Sequence, residues 1–260
     1  MHAPVKIIPS ELLLTAYRSG IFPMADSRDD EEIYWVEPRE RAVIPLEGLR
    51  CSRSLAKTVR QDRFRVTCNA DFAGVIAACA APRPGHPESW ISDRIAASYR
   101  ALHLAGYAHS IECWQGGEMV GGLYGVGFDR AFCGESMFSR ATDASKVALV
   151  WLVALLRHAG YRLLDCQFMT EHLASLGAVP VSREGYLAAL AEAVAAGPAP
   201  SLPAAYASLL GAAGSGVAVG EAAAVGAAAG AAGAASFASP SDSGASSPGK
   251  LILQSLTQTS

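Results

Sequence analysis

Residues 144–158 are apolar around almost the whole of a helical turn, which predicts a helix packed in the interior. Thr142 or Asp143 can cap its start, and Gly160 ends it. Upstream, residues 109–115 and 118–126 flank Gly116-Gly117, a pair suited to a positive-φ turn. They are expected to form a hairpin, with residues 130–138 as its third strand. Downstream, residues 161–168 read as one more strand. Side chains two apart on a strand share a face, so Asp165 and Gln167 are expected to project together, with Leu164, Cys166 and Phe168 facing the other way.

The rest of the pattern extends the fold at both ends. Ser10 reads as the N-cap of a short helix that stops at Gly20, residues 21–23 turn the chain, and residues 33–36 form a strand ended by Glu37-Pro38. Helices are expected over 71–80 and 93–105, on either side of a loop carrying Pro82, Pro84 and Pro87. A helix over 170–176 stopped by Gly177, a short strand over 179–182 and a helix over 184–195 follow. From about residue 197 to 260 the composition collapses to Ala, Gly, Ser and Pro, with only Glu221, Asp242 and Lys250 charged, which predicts a flexible, dispensable tail. The chain thus divides into a small N-terminal α/β domain (1–48), a larger α/β (α+β) domain (49–196) and a low-complexity tail (197–260).

Charge sharpens this picture locally rather than globally. A net charge of −3 over 260 residues argues against a protein wholly dedicated to coating nucleic acid but leaves room for a basic patch. Residues 39–65 supply one: Arg39, Arg41, Arg50, Arg53, Lys57, Arg60, Arg63 and Arg65 stand against Glu40, Glu47 and Asp62. Such a cluster can bind a nucleic-acid backbone through charge and counterion release, and an ordinary solvated helix face fits it equally well. The six cysteines are scattered singly without a Cys-x-x-Cys, so metal and disulfide readings do poorly and reduced thiols in a cytoplasm fit best. Ser10 and Glu11 interrupt what would be a signal's apolar region. The run 217–235 is Ala and Gly with Glu221 inside it, a poor membrane span.

The candidate chemistry sits where charge interrupts apolar strands. Glu135 does so in Phe132-Cys-Gly-Glu-Ser-Met-Phe-Ser139, and Asp165 and Gln167 do so in the strand after the central helix. Buried groups of this kind are costly unless partnered, so they mark either a site or a satisfied network. The order of elements resembles the acetyltransferase-like (GNAT) architecture. The pyrophosphate loop of that superfamily is missing, with Ser139-Arg-Ala-Thr-Asp-Ala-Ser-Lys146 in its place, so coenzyme A is not expected as acyl donor.

Further motifs carry a closer resemblance. Gly20-Ile-Phe-Pro23, Trp35-x-x-Pro-Arg39, Ser52-Arg-Ser54, Trp90-Ile91, Ala108-His-Ser-Ile-Glu112, Val120-Gly-Gly-Leu-Tyr-Gly125, Gly134 to Ser139, Ala144-Ser-Lys146, Asp165-x-Gln167 and His172-Leu-x-Ser-Leu-Gly-Ala178, in this order, are similar to the leucyl/phenylalanyl-tRNA–protein transferase family. The resemblance implies transfer of Leu or Phe, and less well Met, from Leu-tRNA or Phe-tRNA to proteins beginning with Arg or Lys, as in N-end rule degradation. It implies Asp165 and Gln167 as the catalytic pair and Glu135 as a third catalytic residue, with either Glu135 or Asp165 meeting the acceptor's cationic end. It further implies a donor side-chain pocket of Leu123, Phe132, Met137, Leu152 and Leu164, and Trp35 and Trp90 on the terminal adenosine of tRNA. Phe132 and Met137 have opposite parity on a regular strand, so a bulge or strand end must intervene, or one of them is outside the pocket.

An aminoacyl-tRNA is already an activated ester, so its aminolysis needs neither ATP, cofactor nor metal. With the resemblance in hand, Arg39, Arg41, Arg50, Arg53, Lys57 and Arg60 are candidates for acceptor-stem phosphates, and a cytoplasmic monomer without membrane contact is expected. Three other readings stand beside it: a tRNA-dependent transferase acting on a cell-wall peptide, a covalent route through Cys166, and a non-catalytic tRNA-binding protein.

Overall fold

In the computed structural model of the chain the described residues are 6–82, 88–211 and 247–257. The predicted hairpin forms as β5 (Ala108–Gln115) and β6 (Glu118–Phe128), and both turn glycines take positive φ, 58° at Gly116 and 86° at Gly117. Strand β7 (Ala131–Ser139) continues the meander, and α5 (Ala144–His158) then crosses over to β8 (Leu163–Asp165), which lies parallel to β7. Two short strands that read as basic surface rather than as strands, β3 (Glu40–Val43) and β4 (Arg65–Cys68), complete the sheet with β9 (Val179–Ser182) in the order β4-β5-β6-β7-β8-β3-β9. Strand β3 comes from the first 48 residues and yet pairs on both sides within this sheet. Strands β1 (Phe22–Met24) and β2 (Tyr34–Val36) form a separate ribbon. This is the acetyltransferase-like α/β architecture that the order of elements led us to expect.

Alternation along the strands splits the core in two. On one face Leu123, Phe132 and Leu164 pack with α5 and with Leu55 and Val59 of α2 (Arg53–Arg60). On the other, Tyr124, Cys133 and Phe138 pack with α1 (Ser10–Arg18), α3 (Phe72–Ala80), α4 (Asp93–Leu104) and α7 (Arg183–Ala195). The short helix α6 (Glu171–Ser175) follows β8.

The two ends of the segment expected to be a flexible tail are folded. Helix α8 (Leu202–Gly211) buries Leu202, Ala205 and Leu209 in the α5 core, and Tyr206 donates its hydroxyl to Val66 O at 2.8 Å. Helix α9 (Pro248–Thr257) buries Ile252, donates Gly249 N–H to Asp62 Oδ1 at 2.7 Å, and accepts from Arg157 Nη1 at Leu256 O at 2.7 Å. A few well-spaced apolar side chains suffice to dock a helix whose overall composition is of low complexity. The expectation for residues 212–246 lies outside the described residues.

Ending the chain at residue 196 therefore uncovers apolar surface on α5 and α2. After allowing for the ordering entropy of the two helices, a net loss of about 3 kcal/mol is expected, which lowers the thermal midpoint by roughly 6–12 °C. Scanning calorimetry on the full and shortened chains measures this, and equal midpoints would show that α8 and α9 add nothing to stability.

Candidate active site

The sheet opens where β7 and β8 part. They pair at Ala131↔Leu163, Phe132↔Leu164 and Cys133↔Asp165 and then diverge. Strand β7 runs on against β6 as far as Gly121↔Ser139. The chain after Asp165 instead turns to β3, with Cys166 N–H donating to Ala42 O at 2.8 Å and Ala42 N–H to Gln167 O at 3.1 Å. The gap holds a cavity of about 290 Å³. Its apolar walls include Leu123, Met137, Leu149, Leu152, Leu164 and Leu173, and its polar side chains include Tyr124, Glu135, Ser136, Gln167, Thr170 and His172.

Glu135 enters this cavity by way of a β-bulge. The register passes from Gly125↔Gly134 to Tyr124↔Ser136 and leaves Glu135 without a cross-strand partner. A bulge inserts one residue, re-aims its side chain and reverses the alternation beyond it. That reversal puts Phe132 and Met137 on the same, α5-facing side of the sheet. Phe132 nevertheless lies where β7 is still paired with β8; it is fully buried against Tyr161 and is not on the cavity wall. Of the five residues expected in the donor pocket, four line the cavity and Phe132 is corrected to core packing.

Three elements remote in sequence converge on Glu135. Tyr17 of α1 donates its hydroxyl to Oε1 at 2.7 Å, Tyr99 of α4 donates to Oε2 at 3.1 Å, and Gln167 Nε2 approaches Oε1 at 3.4 Å. The two tyrosine hydroxyls are also hydrogen-bonded to each other. Burial pushes the Glu135 acid up to about 7; the two tyrosine hydrogen bonds hold it down in part, and the neighbouring Asp165 adds to the rise. Sequence reasoning missed Tyr17 and Tyr99, because a tyrosine on the apolar face of a helix is indistinguishable from core.

Asp165 and Gln167 are held by different partners, and only Gln167 reaches the cavity wall. Asp165 is 1% exposed, with its Oδ2 on Arg41 Nη1 at 2.7 Å and on the Tyr186 hydroxyl at 3.0 Å, and it is absent from the cavity wall. Burial pushes its acid upward against the pull of Arg41. Its Oδ1 accepts Gln167 N–H at 2.8 Å, and Gln167 takes φ +57°. This is the geometry of an Asx turn, in which a short carboxylate binds the backbone two residues on. The turn ends strand β8, and Gln167 lines the cavity together with Cys166 and Phe168. The Asp-x-Gln spacing is the one signal in the sequence that could have suggested the turn.

Arg41, expected on tRNA phosphates, is instead 2% exposed. Besides Asp165 it binds Gly20 O, and it lies over the rings of Phe22 at 4.9 Å and Tyr186 at 4.4 Å. A guanidinium so enclosed cannot reach a phosphate. Arg39, Arg50, Arg53, Lys57 and Arg60 are exposed, the last three on α2. Trp35 is exposed on β2 and Trp90 is half-buried ahead of α4, and neither is on the cavity wall. The wall thiol Cys166 is pushed far up by burial, and so is Cys133, so neither is a ready thiolate. Among the described residues no group of three His, Cys, Asp or Glu is placed to hold a metal, and no helix is long and apolar enough to cross a membrane.

A mixed sheet parted between two parallel strands, with a cavity of apolar walls and a re-aimed carboxylate in the gap, is the site that an α/β enzyme of this architecture offers a substrate. The sequence profile described as "Leucyl/phenylalanyl-tRNA protein transferase" matches residues 43–191, and that of the "Leucyl/phenylalanyl-tRNA protein transferase N-terminal domain" matches residues 8–39. The chain belongs to the leucyl/phenylalanyl-tRNA–protein transferase family and is an aminoacyltransferase. It is 60% identical over 259 residues to the leucyl/phenylalanyl-tRNA–protein transferase of Novosphingobium aromaticivorans, covering 97% of each chain. It is 59% identical over 186 residues to that of Rhizorhabdus wittichii, covering 72% of this chain and 75% of the relative. Among solved structures, the C-terminal domain of a putative lysylphosphatidylglycerol synthetase from Agrobacterium fabrum is similar at a TM-score of 0.36 and 14% identity, covering 64% of this chain and 54% of that one.

Proposed function

We propose that this enzyme transfers Leu or Phe, and less well Met, from Leu-tRNA or Phe-tRNA to the α-amino group of proteins beginning with Arg or Lys, marking them for degradation by the N-end rule pathway. The observation that carries the reading is the cavity itself, whose apolar walls surround, among the described residues, one acidic side chain, Glu135. At about 290 Å³ it is at the small end of ligand cavities, which run from about 300 to 1,000 Å³, enough for one amino-acid side chain and its reacting carbonyl. The donor side chain lies against Leu123, Met137, Leu152 and Leu164, and Glu135 faces the acceptor's cationic end. Pairing with a carboxylate is what selection for Arg or Lys physically requires.

The reaction is direct aminolysis. The acceptor's α-ammonium loses a proton; with a pKa near ~8 it needs only modest help. Its nitrogen then attacks the ester carbonyl, the C–N bond forms, the C–O bond to the ribose breaks, and the departing ribose oxygen takes up a proton. Gln167, on the cavity wall, orients the amine. Asp165 serves as a positioning residue that holds Gln167 in its turn, and Arg41 holds Asp165. Trp35 and Trp90 provide stacking surface for the terminal adenosine, and Arg39, Arg50, Arg53, Lys57 and Arg60 follow the acceptor-stem phosphates, in a cytoplasmic monomer.

Transfer of labelled Leu from Leu-tRNA to an Arg-starting protein tests the reading, and an acetylated acceptor N-terminus must abolish it. Donor choice tests the cavity. Leu152 is 1% exposed on its wall, and Leu152→Ala is expected to lower kcat/KM for Leu-tRNA at least about 10-fold while leaving Phe-tRNA less affected, since even one methylene of apolar contact changes discrimination by roughly 10–200-fold. Equal rates with both donors in wild type and variant would show that the donor side chain binds elsewhere.

A further inference from the structure

Counting protons around Glu135 leads to a property that the fold alone does not suggest. Tyr17 Oη, Tyr99 Oη and the Glu135 carboxyl make a closed ring of three oxygen–oxygen contacts: Tyr17 to Oε1, Tyr99 to Oε2, and Tyr17 to Tyr99. Each hydrogen bond needs one proton. The hydroxyls bring one each, so an ionised Glu135 leaves three contacts with two protons, and one pair of oxygens faces lone pair to lone pair.

Among the described residues no other group is hydrogen-bonded to the ring so as to supply the missing proton. The Tyr124 hydroxyl of β6, on the cavity wall, is fully buried and has no hydrogen-bond partner among them. Gln167 Nε2 already points at Oε1. The remaining titratable or charged neighbours are Cys133 on the same strand, Asp165 with Arg41 across the sheet opening, and Cys166 and His172 on the cavity wall, and none of them is hydrogen-bonded to the ring.

A neutral Glu135 closes the ring. With the proton on Oε2, Glu135 donates to Tyr99, Tyr99 to Tyr17, and Tyr17 to Oε1, which also accepts from Gln167. The contact with Gln167 selects this direction, because it keeps Oε1 an acceptor. We propose that Glu135 rests as the neutral acid in this three-membered ring, and that a cationic acceptor end entering the cavity displaces its proton, so that the carboxylate forms only where a cation is present to meet it.

The proposal rests on the reading that the acceptor's cationic end meets Glu135. The electrostatics agree with the counting. Burial and the nearness of Glu135 push both tyrosine hydroxyls far up, so they keep their protons, and the Glu135 acid stands at about 7. The balance is simple: the O–H bond of Glu135 breaks, its proton leaves to solvent, and the acceptor's ammonium or guanidinium supplies the compensating charge. Both tyrosines then donate to the carboxylate, and the Tyr17–Tyr99 bond is the contact given up. An acceptor starting with an uncharged side chain offers less to offset that loss, so the ring sharpens selection beyond simple charge attraction.

Infrared spectroscopy of the full-length protein, with glutamate carboxyls carbon-13 labelled so that Asp165 does not contribute, tests the resting state. The expected result is a protonated-carboxyl band at pH 6 that disappears as pH rises through about 7 and is absent from Glu135→Gln. Calorimetric titration with the peptide Arg-Ala-Ala-amide at pH 6.5, in two buffers of different ionisation heat, tests displacement. About one proton released per peptide is expected, with loss of the same infrared band. Absence of a glutamate acid band that the substitution removes overturns the ring. A band that persists with peptide bound overturns displacement. A peptide that binds wild type and Glu135→Gln alike overturns instead the underlying assignment of Glu135 to the acceptor, and the band in the free protein still reports on the ring.

Discussion

Arg41→Ala is expected to destabilise the protein by about 3–5 kcal/mol at pH 8, the cost of leaving a buried carboxylate without its counter-charge. Asp165 and Arg41 are 1% and 2% exposed, and the guanidinium also holds Gly20 O and the faces of Phe22 and Tyr186. The substitution thus removes packing between the β1 end and α7 as well as charge. The sign of its pH dependence follows from linkage. Without Arg41 the native Asp165 acid rises further above its unfolded value, so the native state binds the extra proton. The variant's deficit is therefore largest above the raised pKa and shrinks as pH falls toward the unfolded carboxylate range. Urea unfolding at pH 8 and pH 5 measures both. Replacing the pair together, Arg41→Met with Asp165→Leu, is expected to restore a large part of the stability but not of the activity, because Gln167 then loses the acceptor that holds its N–H. A deficit below 1 kcal/mol at pH 8 would mean that water reaches the pair.

Glu135→Ala is expected to lower kcat/KM for an Arg-starting acceptor by roughly 10²–10³-fold, the range for truncating one partner of a buried, hydrogen-bonded charge contact. Binding of the donor is expected to stay within a few-fold, since the apolar walls proposed to hold the donor are left alone by the substitution. Stability separates this effect from misfolding. An acid held at about 7 in the native state favours folding as pH falls from about 7 toward its unfolded value, and above pH 7 its ionised form is a liability. Glu135→Gln removes that liability, so relative to wild type it is expected to gain stability at pH 8 and not at pH 5, by up to about 3 kcal/mol. Steady-state transfer assays with thermal unfolding at the two pH values give both readouts. An enzyme that loses activity while becoming no more stable at pH 8 would show that the carboxylate is better solvated than its surroundings imply.

Much of this architecture follows from local pattern. Gly116-Gly117 between two alternating runs could only be a tight hairpin, and the uniformly apolar run after Asp143 was expected to be a buried helix with the bounds that α5 shows. The strands β3 and β4 were hidden because they are four residues long and lie in a basic stretch of the chain, so their pairing is decided by neighbours rather than by their own periodicity. The strand stops at Asp165 for a different reason. The carboxylate of Asp165 binds the backbone two residues on, and an alternation rule assumes that side chains do not rewrite the backbone that carries them.

Which residue types bear the chemistry, and which family the chain resembles, could be read directly from the residues. So could the conflict between Phe132 and Met137, which required a bulge, a strand end or a place outside the pocket for one of them. Which groups meet was decided only by the tertiary structure. Tyr17 and Tyr99 reach Glu135 from helices 118 and 36 residues away, Arg41 reaches Asp165 across 124, and α9 returns to Asp62 across 187. Composition and spacing report what a segment can do with its own backbone. The state of a buried proton depends on how many donors the rest of the fold delivers to it, and that number exists only once the chain has folded.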